Sequence, residues 1–459
     1  GETGDCRRMK ARDRQQPVGR DRRQPSGRFE TRPQSEAVPE RPPWWTLLPP
    51  LLLFVAAVVY GFLEVHSSTD TWIGLAAGRQ IAEQTDFWNL RRTFPLLDTF
   101  SYTFHGTVWY NQNWLSHLFF WTLYDRVGPW AVIAGTWVVC AALFIFVMLA
   151  VRVRCGSWFA ALLAGAVVAA ATRDWVSARP ATIQFFLVAA LWLCLSSLLV
   201  VPRRGLRLPL LDGGPALDPV SGAVRRGRWL PILLLLPLFL IWGNAHGSFI
   251  FGYGLVGLFL GCWLAARLVG VAAGSPRLTS ISDAQAVGIA AVCAAAALLT
   301  VALGPYGIEN FTHPMKIAQS EVFRGVSEWI PPYKWEQLNA FPPVKRFWIA
   351  FGIACVTPVA ALALRAITHE PGAKAPASAG SSYRLQAVLL DVAAVALGVY
   401  MAMYARRFAP MLYILAAPGL VHLFMLVAPP ALGAPGLGRY GPAAAGRRGP
   451  VVHVGDTRR

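Results

Sequence analysis

Apolar runs of about 20 residues recur along this chain from residue 44 to residue 428, separated mostly by short polar breaks. Runs of that length match the hydrocarbon thickness of a bilayer, and strands or ordinary soluble helices do not need them. Ten spans are expected, at 44–65, 129–151, 157–172, 181–201, 229–243, 248–268, 283–303, 347–366, 385–404 and 409–428. The fold class is therefore all-α, a polytopic membrane protein of about ten transmembrane helices.

Two connections are long: 66–128 after the first span and 304–346 after the seventh. The first contains "VWYNQNWLSHLFFWTLYDRVG", which is too short and polar for a span. Its aromatic side chains suit a helix lying in the membrane interface. Residues 1–43 carry almost no apolar content and hold eleven Lys and Arg among Gln, Pro and Ser, as a disordered basic tail does. Residues 371–382 read as linker, and 429–459 as a second disordered tail. No cleavable signal is expected, because the first apolar run follows a long tail and is too long for a signal core.

Composition agrees with the pattern. Hydrophobic residues make up 55% of the chain and charged residues 14%, where a soluble protein carries roughly a quarter charged. The seven cysteines contain no CxxC pair and mostly sit inside apolar runs, as small fillers do. The formal charge of +18 raises nucleic acid as a partner, but the placement of the charge argues against it. About two thirds of the 42 Lys and Arg residues fall on the side of the membrane that holds both tails. The positive-inside bias makes that side cytoplasmic and the two long loops external. A basic segment beside a span meets anionic membrane lipids rather than nucleic acid.

With that topology the uncommon polar residues collect on the outer face. They are Asp70, Asp98 in "DTFSYT", His117 in "NQNWLSH", Arg179 in "SARPAT", Asn244 and His246 in "WGNAHGSF", Glu328 in "VSEWIPPY", and Arg406–Arg407 in "ARRFAP". Three spans begin at that face, each next to a cationic or potentially cationic residue: Arg179 before Pro180, His246 before Gly247, and Arg406–Arg407 before Pro410. Positive helix ends together with arginines form an anion site, most naturally for a phosphate. Asp70 and Asp98 are suited to accept a proton or hold a cation. Plainer roles stand beside these. Arg79, Arg173 and Asp174 read as interfacial anchors, His246 equally as a satisfied turn histidine, and Asp98 as a turn residue bonding its own backbone. Asp391, inside a span, is expected to pair with Arg384. No Walker loop, GxSxG, HExxH or EF-hand pattern is present.

The segments "DTWIGLAAGRQI", "DTFSYT", "WYNQNWLSH", "ARPATIQF", "WGNAHGSF", "GPYG", "SEWIPP" and "RRFAPMLYILAAP" occur in this order over residues 60 to 420. In them the chain resembles bacterial multi-spanning proteins related to the GT-C class of glycosyltransferases, including the protein-mannosyltransferase-like and aminoarabinose-transferase-like branches. The resemblance implies a GT-C-like domain over 44–428 in a bacterial inner membrane, with interfacial helices in the first outer loop. It implies transfer of a sugar from a polyprenyl-phosphate donor to an acceptor it does not identify. By position Asp70 matches the acidic catalytic residue of that loop and Asp98 its second acidic position. His117, Arg179, Asn244, His246, Glu328, Arg406 and Arg407 are then candidates for binding substrate. A divalent cation is one candidate cofactor, but the chain departs from its relatives at Ile73–Gly74 and Gln112–Asn113, which leaves the metal open. A different class of function shares the fold: a lipid-linked glycan transporter or a non-catalytic scaffold.

Overall fold

The structure, a computed structural model, describes residues 44–63, 68–84, 86, 94–199, 229–274, 278–321, 325–334 and 385–427, with single positions at 348, 349, 352 and 356. The expected tails 1–43 and 429–459, the linker 371–382 and nearly all of the expected span 347–366 lie outside these residues.

Among the described residues seven helices are long and apolar enough to cross a membrane, as in an all-α membrane protein. The first, Trp45–Phe62, contains α1 (Leu48–Phe62). The others are α4 (Pro129–Cys155), α6 (Pro180–Leu199), α8 (Phe249–Ala272), α9 (Asp283–Leu303), α11 (Leu385–Tyr404) and the helix over Arg406–Phe424, whose main part is α12 (Ala409–Val427). Between them lie α2 (Thr69–Gln84), α3 (Trp114–Val127), α5 (Trp158–Thr172), α7 (Leu235–Ala245) and α10 (Glu309–Gln319).

Two of the ten expected spans are shorter than the bilayer. The 15 residues of α5 reach about 22 Å, against ~30 Å of hydrocarbon. The expected span at 229–243 is broken at Leu234 into a single turn, Leu230–Leu233, and α7. Pro237 explains the break: it has no N–H to give Leu233, and its ring crowds that residue's carbonyl.

Packing orders the bundle. α6 lies at its centre, against α4, α7 and α12, and most of its side chains are buried. α1 rests mainly on α5 and leaves Leu51, Leu52, Leu53, Val55 and Val59 exposed, an apolar face suited to lipid. α11 and α12 form a tight pair, and α12 also packs on α4 and α5.

The long first loop has its own architecture. A two-stranded antiparallel ribbon, β1 (Leu96–Leu97) and β2 (Val108–Trp109), pairs Leu96 with Trp109. It is tied to α2 by the Gln80 amide, which donates to the Leu97 carbonyl at 3.1 Å. α2 lies directly on α3, and glycine permits the approach. A Cβ at Gly78 would overlap the His117 carbonyl oxygen, and one at Gly74 would press on the His117 ring. α3 in turn is fastened to the end of α7. The Trp114 indole N–H donates to Asn244 Oδ1 at 3.0 Å, and the Ser116 hydroxyl donates to the Ala245 carbonyl at 2.7 Å.

Candidate anion site

One end of the bundle gathers residues from six separate chain segments. Arg179 stands just before α6 in a buried turn. There the Thr182 hydroxyl donates to the Ser177 carbonyl at 2.7 Å, and the Arg179 N–H reaches the same oxygen at 2.8 Å. The turn fixes where the guanidinium starts, and Pro180 begins the helix at a position that needs no donor. Arg179 Nη1 then donates to Glu328 Oε1 at 2.6 Å and reaches Asp70 Oδ2 at 3.4 Å. Its Nε is buried with no hydrogen-bond partner in the protein.

Asp70 occupies the first turn of α2, and its side chain is 61% exposed. Glu328 comes from the 3-10 turn Ser327–Trp329, which docks on the start of the last span. The Arg406 N–H donates to the Ile330 carbonyl at 3.3 Å. The Trp329 ring meets Phe408 edge-on at 5.8 Å, and the Arg407 guanidinium lies 4.7 Å from the Trp329 ring centre. Burial alone would raise the Glu328 carboxyl above its usual pKa. The charge and hydrogen bond of Arg179, with the charges of Arg407 and Arg406, outweigh burial and hold it below. Glu328 is thus an ionised carboxylate set among three guanidinium groups.

His246 caps the end of α7 in an extended conformation. Its Nδ1 accepts from the Ser248 N–H at 3.1 Å and lies 2.8 Å from the Ser248 hydroxyl, which itself accepts from the Trp242 indole at 3.1 Å. Nδ1 is therefore an acceptor, and the ring proton sits on Nε2. Burial, then the charges of Arg407 and Arg179, push its pKa down to about 3. The sequence suggested a potential cation here. The structure gives a neutral donor instead, because the ring is buried and the surrounding arginines add to the cost of a second positive charge.

His117 is buried on α3, and burial brings its pKa to about 4. The Asn111 amide faces its Nδ1 at 3.0 Å, with Asn111 Oδ1 turned to the Asn113 N–H at 3.1 Å. His117 is likewise neutral, with its proton on Nε2. Gly247, next to His246, has no room for a Cβ because Gln112 fills that space, so the first loop closes over the α7–α8 turn.

Two expected site residues are engaged elsewhere. Asp98 is taken by its own turn. Oδ1 accepts the Phe100 and Ser101 N–H groups at 2.8 and 2.9 Å, Oδ2 accepts the Ser101 hydroxyl at 2.5 Å, and these bonds lower its pKa. Asn244 spends its amide on the fold, accepting from Trp114 and donating to the Leu240 carbonyl at 2.8 Å. The cluster that remains is Asp70, His117, Arg179, His246, Glu328, Arg406 and Arg407. Trp329, the platform for Arg407, is a member the sequence reading passed over, although it adjoins Glu328 in "SEWIPP".

Such an arrangement can hold an anion between arginines, donate neutral hydrogen bonds from imidazoles, and offer one accessible carboxylate. Among the described residues no three His, Cys, Asp or Glu side chains gather as metal ligands. Both oxygens of Asp98 are occupied by Phe100 and Ser101, so the described residues do not fit a divalent cation.

A second polar cluster lies at the opposite end of α12. Arg384, the partner expected for Asp391, lies outside the described residues. Among the described residues Asp391 Oδ2 pairs with Arg154 of α4 and Nδ1 of His422 of α12, all three buried. The chain matches no known protein family, and no curated protein matches it.

Proposed function

We propose that this protein is an integral-membrane glycosyltransferase. It transfers a sugar from a polyprenyl-phosphate donor to an acceptor hydroxyl at the outer face of a bacterial inner membrane. The observation that carries this reading is the meeting of Arg179, Arg406 and Arg407 around the Glu328 carboxylate, with Arg179 Nη1 also 3.4 Å from the accessible Asp70. The GT-C-like segments named above supply the same residues. In the reaction Asp70 takes the proton of the acceptor hydroxyl. The hydroxyl oxygen bonds to the anomeric carbon as the bond from that carbon to the phosphate oxygen breaks, with inversion. The electron pair leaves on the phosphate, whose added charge the three arginines stabilise. The neutral Nε2–H groups of His246 and His117 add donors without adding charge. Both arginine-bearing helices begin at this end, where a lipid phosphate would lie with its chain still in the bilayer.

The engagement of Asp98 by its own turn leaves one accessible carboxylate, and it favours a second reading in which the fold carries or scaffolds a lipid-linked glycan without transfer. Titrating the detergent-solubilised protein with a short-chain polyprenyl phosphate tests the shared premise. Replacing Arg406 and Arg407 together by Gln is expected to weaken binding by about tenfold or more, as for lost charge-assisted hydrogen bonds. Equal affinities would return both arginines to the role of helix anchors.

A further inference from the structure

Glu328 has a peculiar position for a residue that helps to bind substrate. It is an anion, and it sits where the site would hold an anion. Its Oε1 lies 2.6 Å from Arg179 Nη1, while Arg407 and Arg406 both act on its charge. A phosphate entering this cluster would meet a guanidinium already engaged by a carboxylate. The shorter of Arg179's two carboxylate contacts is to Glu328, and Asp70 is the more distant and more exposed partner. Arg179 Nε, buried and without a protein partner, is a donor that the resting arrangement leaves unused.

We infer that Glu328 is an internal stand-in for the ligand's phosphate, occupying Arg179 in the resting protein and giving way when a phosphate binds. This rests on the anion-site reading of the same cluster and assigns Glu328 the role of setting which anions can enter. With Glu328 in place, the three arginines face two carboxylates, Asp70 and Glu328, and the two histidines are neutral. A weak or singly hydrogen-bonded anion gains little over what the carboxylate already provides. A phosphate offers more acceptor oxygens on a tetrahedral centre, so it can take Nη1 of Arg179, which Glu328 holds at rest, while also reaching Arg407. The carboxylate thus raises the threshold for entry and discriminates against carboxylate-bearing molecules. Its displacement also removes the link between the 325–334 segment and Arg179. That segment remains attached to the last span through the Ile330 carbonyl and Trp329.

The test uses the full-length protein in lipid nanodiscs, with farnesyl phosphate as the lipid-linked probe and inorganic phosphate as the free one, in separate titrations. Glu328→Gln keeps the shape and removes the competing charge, so farnesyl phosphate affinity is expected to rise by about tenfold, as for removal of a charged hydrogen-bond competitor. A tighter grip on inorganic phosphate as well would show that the carboxylate guards the phosphate position itself. Amide hydrogen exchange of wild-type protein needs no variant, and there exchange in residues 325–334 is expected to rise when farnesyl phosphate binds. If wild type binds farnesyl phosphate but Glu328→Gln binds it more weakly and exchange in 325–334 stays unchanged, Glu328 merely positions Arg179. The inference then fails while the anion site stands. If neither protein binds either probe, the anion site fails and the inference fails with it.

Discussion

Asp391 and Arg154 form a buried ion pair between α11 and the last turn of α4, with the side chains 2% and 3% exposed. His422 of α12 donates to the same carboxylate oxygen, and Arg154 also reaches the Ala387 carbonyl at 3.4 Å. The cluster ties three helices together at one end, while the other end of α12 begins beside Arg406 and Arg407, about 24 Å away at about 1.5 Å per residue. The helix that carries the arginines is therefore fixed at its far end by a charge network.

Removing the carboxylate leaves Arg154 buried with its charge uncompensated. Asp391→Asn is expected to destabilise the protein by about 3 kcal/mol or more. A thermal melt in detergent would show a clearly lowered Tm, and adding Arg154→Gln should restore part of it. An unchanged melt for the single variant would mean that the pair contributes nothing to holding α4, α11 and α12.

Gly78 lets α2 lie on the backbone of α3. In Gly78→Ala the new methyl meets a carbonyl oxygen that cannot swing aside, so a cost of about 1–3 kcal/mol is expected from overpacking. Gly254 on α8 has no atom near its Cβ position, and Gly254→Ala serves as the neutral comparison. Equal melting temperatures for the two variants would show that the α2–α3 contact is loose enough to accept a methyl group.

The two site histidines make stability depend on pH. Their folded pKa values, about 3 for His246 and about 4 for His117, lie below the ordinary 6.5. The folded state therefore resists protons that the unfolded chain accepts. This contribution is fully present above pH 6.5, begins to fall below it, and is lost once pH drops through the folded values. The limiting slope is about 1.4 kcal/mol per pH unit for each histidine. Melts between pH 7 and 5 should show falling stability, and His246→Gln should flatten the curve. A variant with the wild-type slope would contradict the neutral assignment.

The sequence makes the spans and the polar end of the bundle legible for a physical reason: apolar length and the rarity of polar residues between spans are local properties. Arg179 and Arg406–Arg407 stand out because proline marks the helices they precede. Partners are another matter. Glu328 meets Arg179 across 149 residues, and Asp391 finds Arg154 and His422 on other helices, and no periodicity records such pairs. Protonation is hidden for the same reason, since His246 is kept neutral first by its burial and then by two arginines far away in the sequence. Asp98 had two open readings, and its turn decides for the local one. The break near Leu234 was readable in principle from Pro237, which an apolar run otherwise conceals.

In the proposed reaction Asp70 accepts the acceptor's proton, and sugar transfer by purified protein tests that role most directly. Wild type and Asp70→Asn are reconstituted in nanodiscs and supplied with radiolabelled polyprenyl-phosphate sugars and a membrane extract as the source of acceptor. Asparagine keeps the size of the side chain and its hydrogen bonding while removing the base. Transfer is expected to fall about a hundredfold or more, with unchanged melting temperature and with polyprenyl phosphate bound at least as tightly as by wild type. Transfer at the wild-type rate by Asp70→Asn would contradict the account.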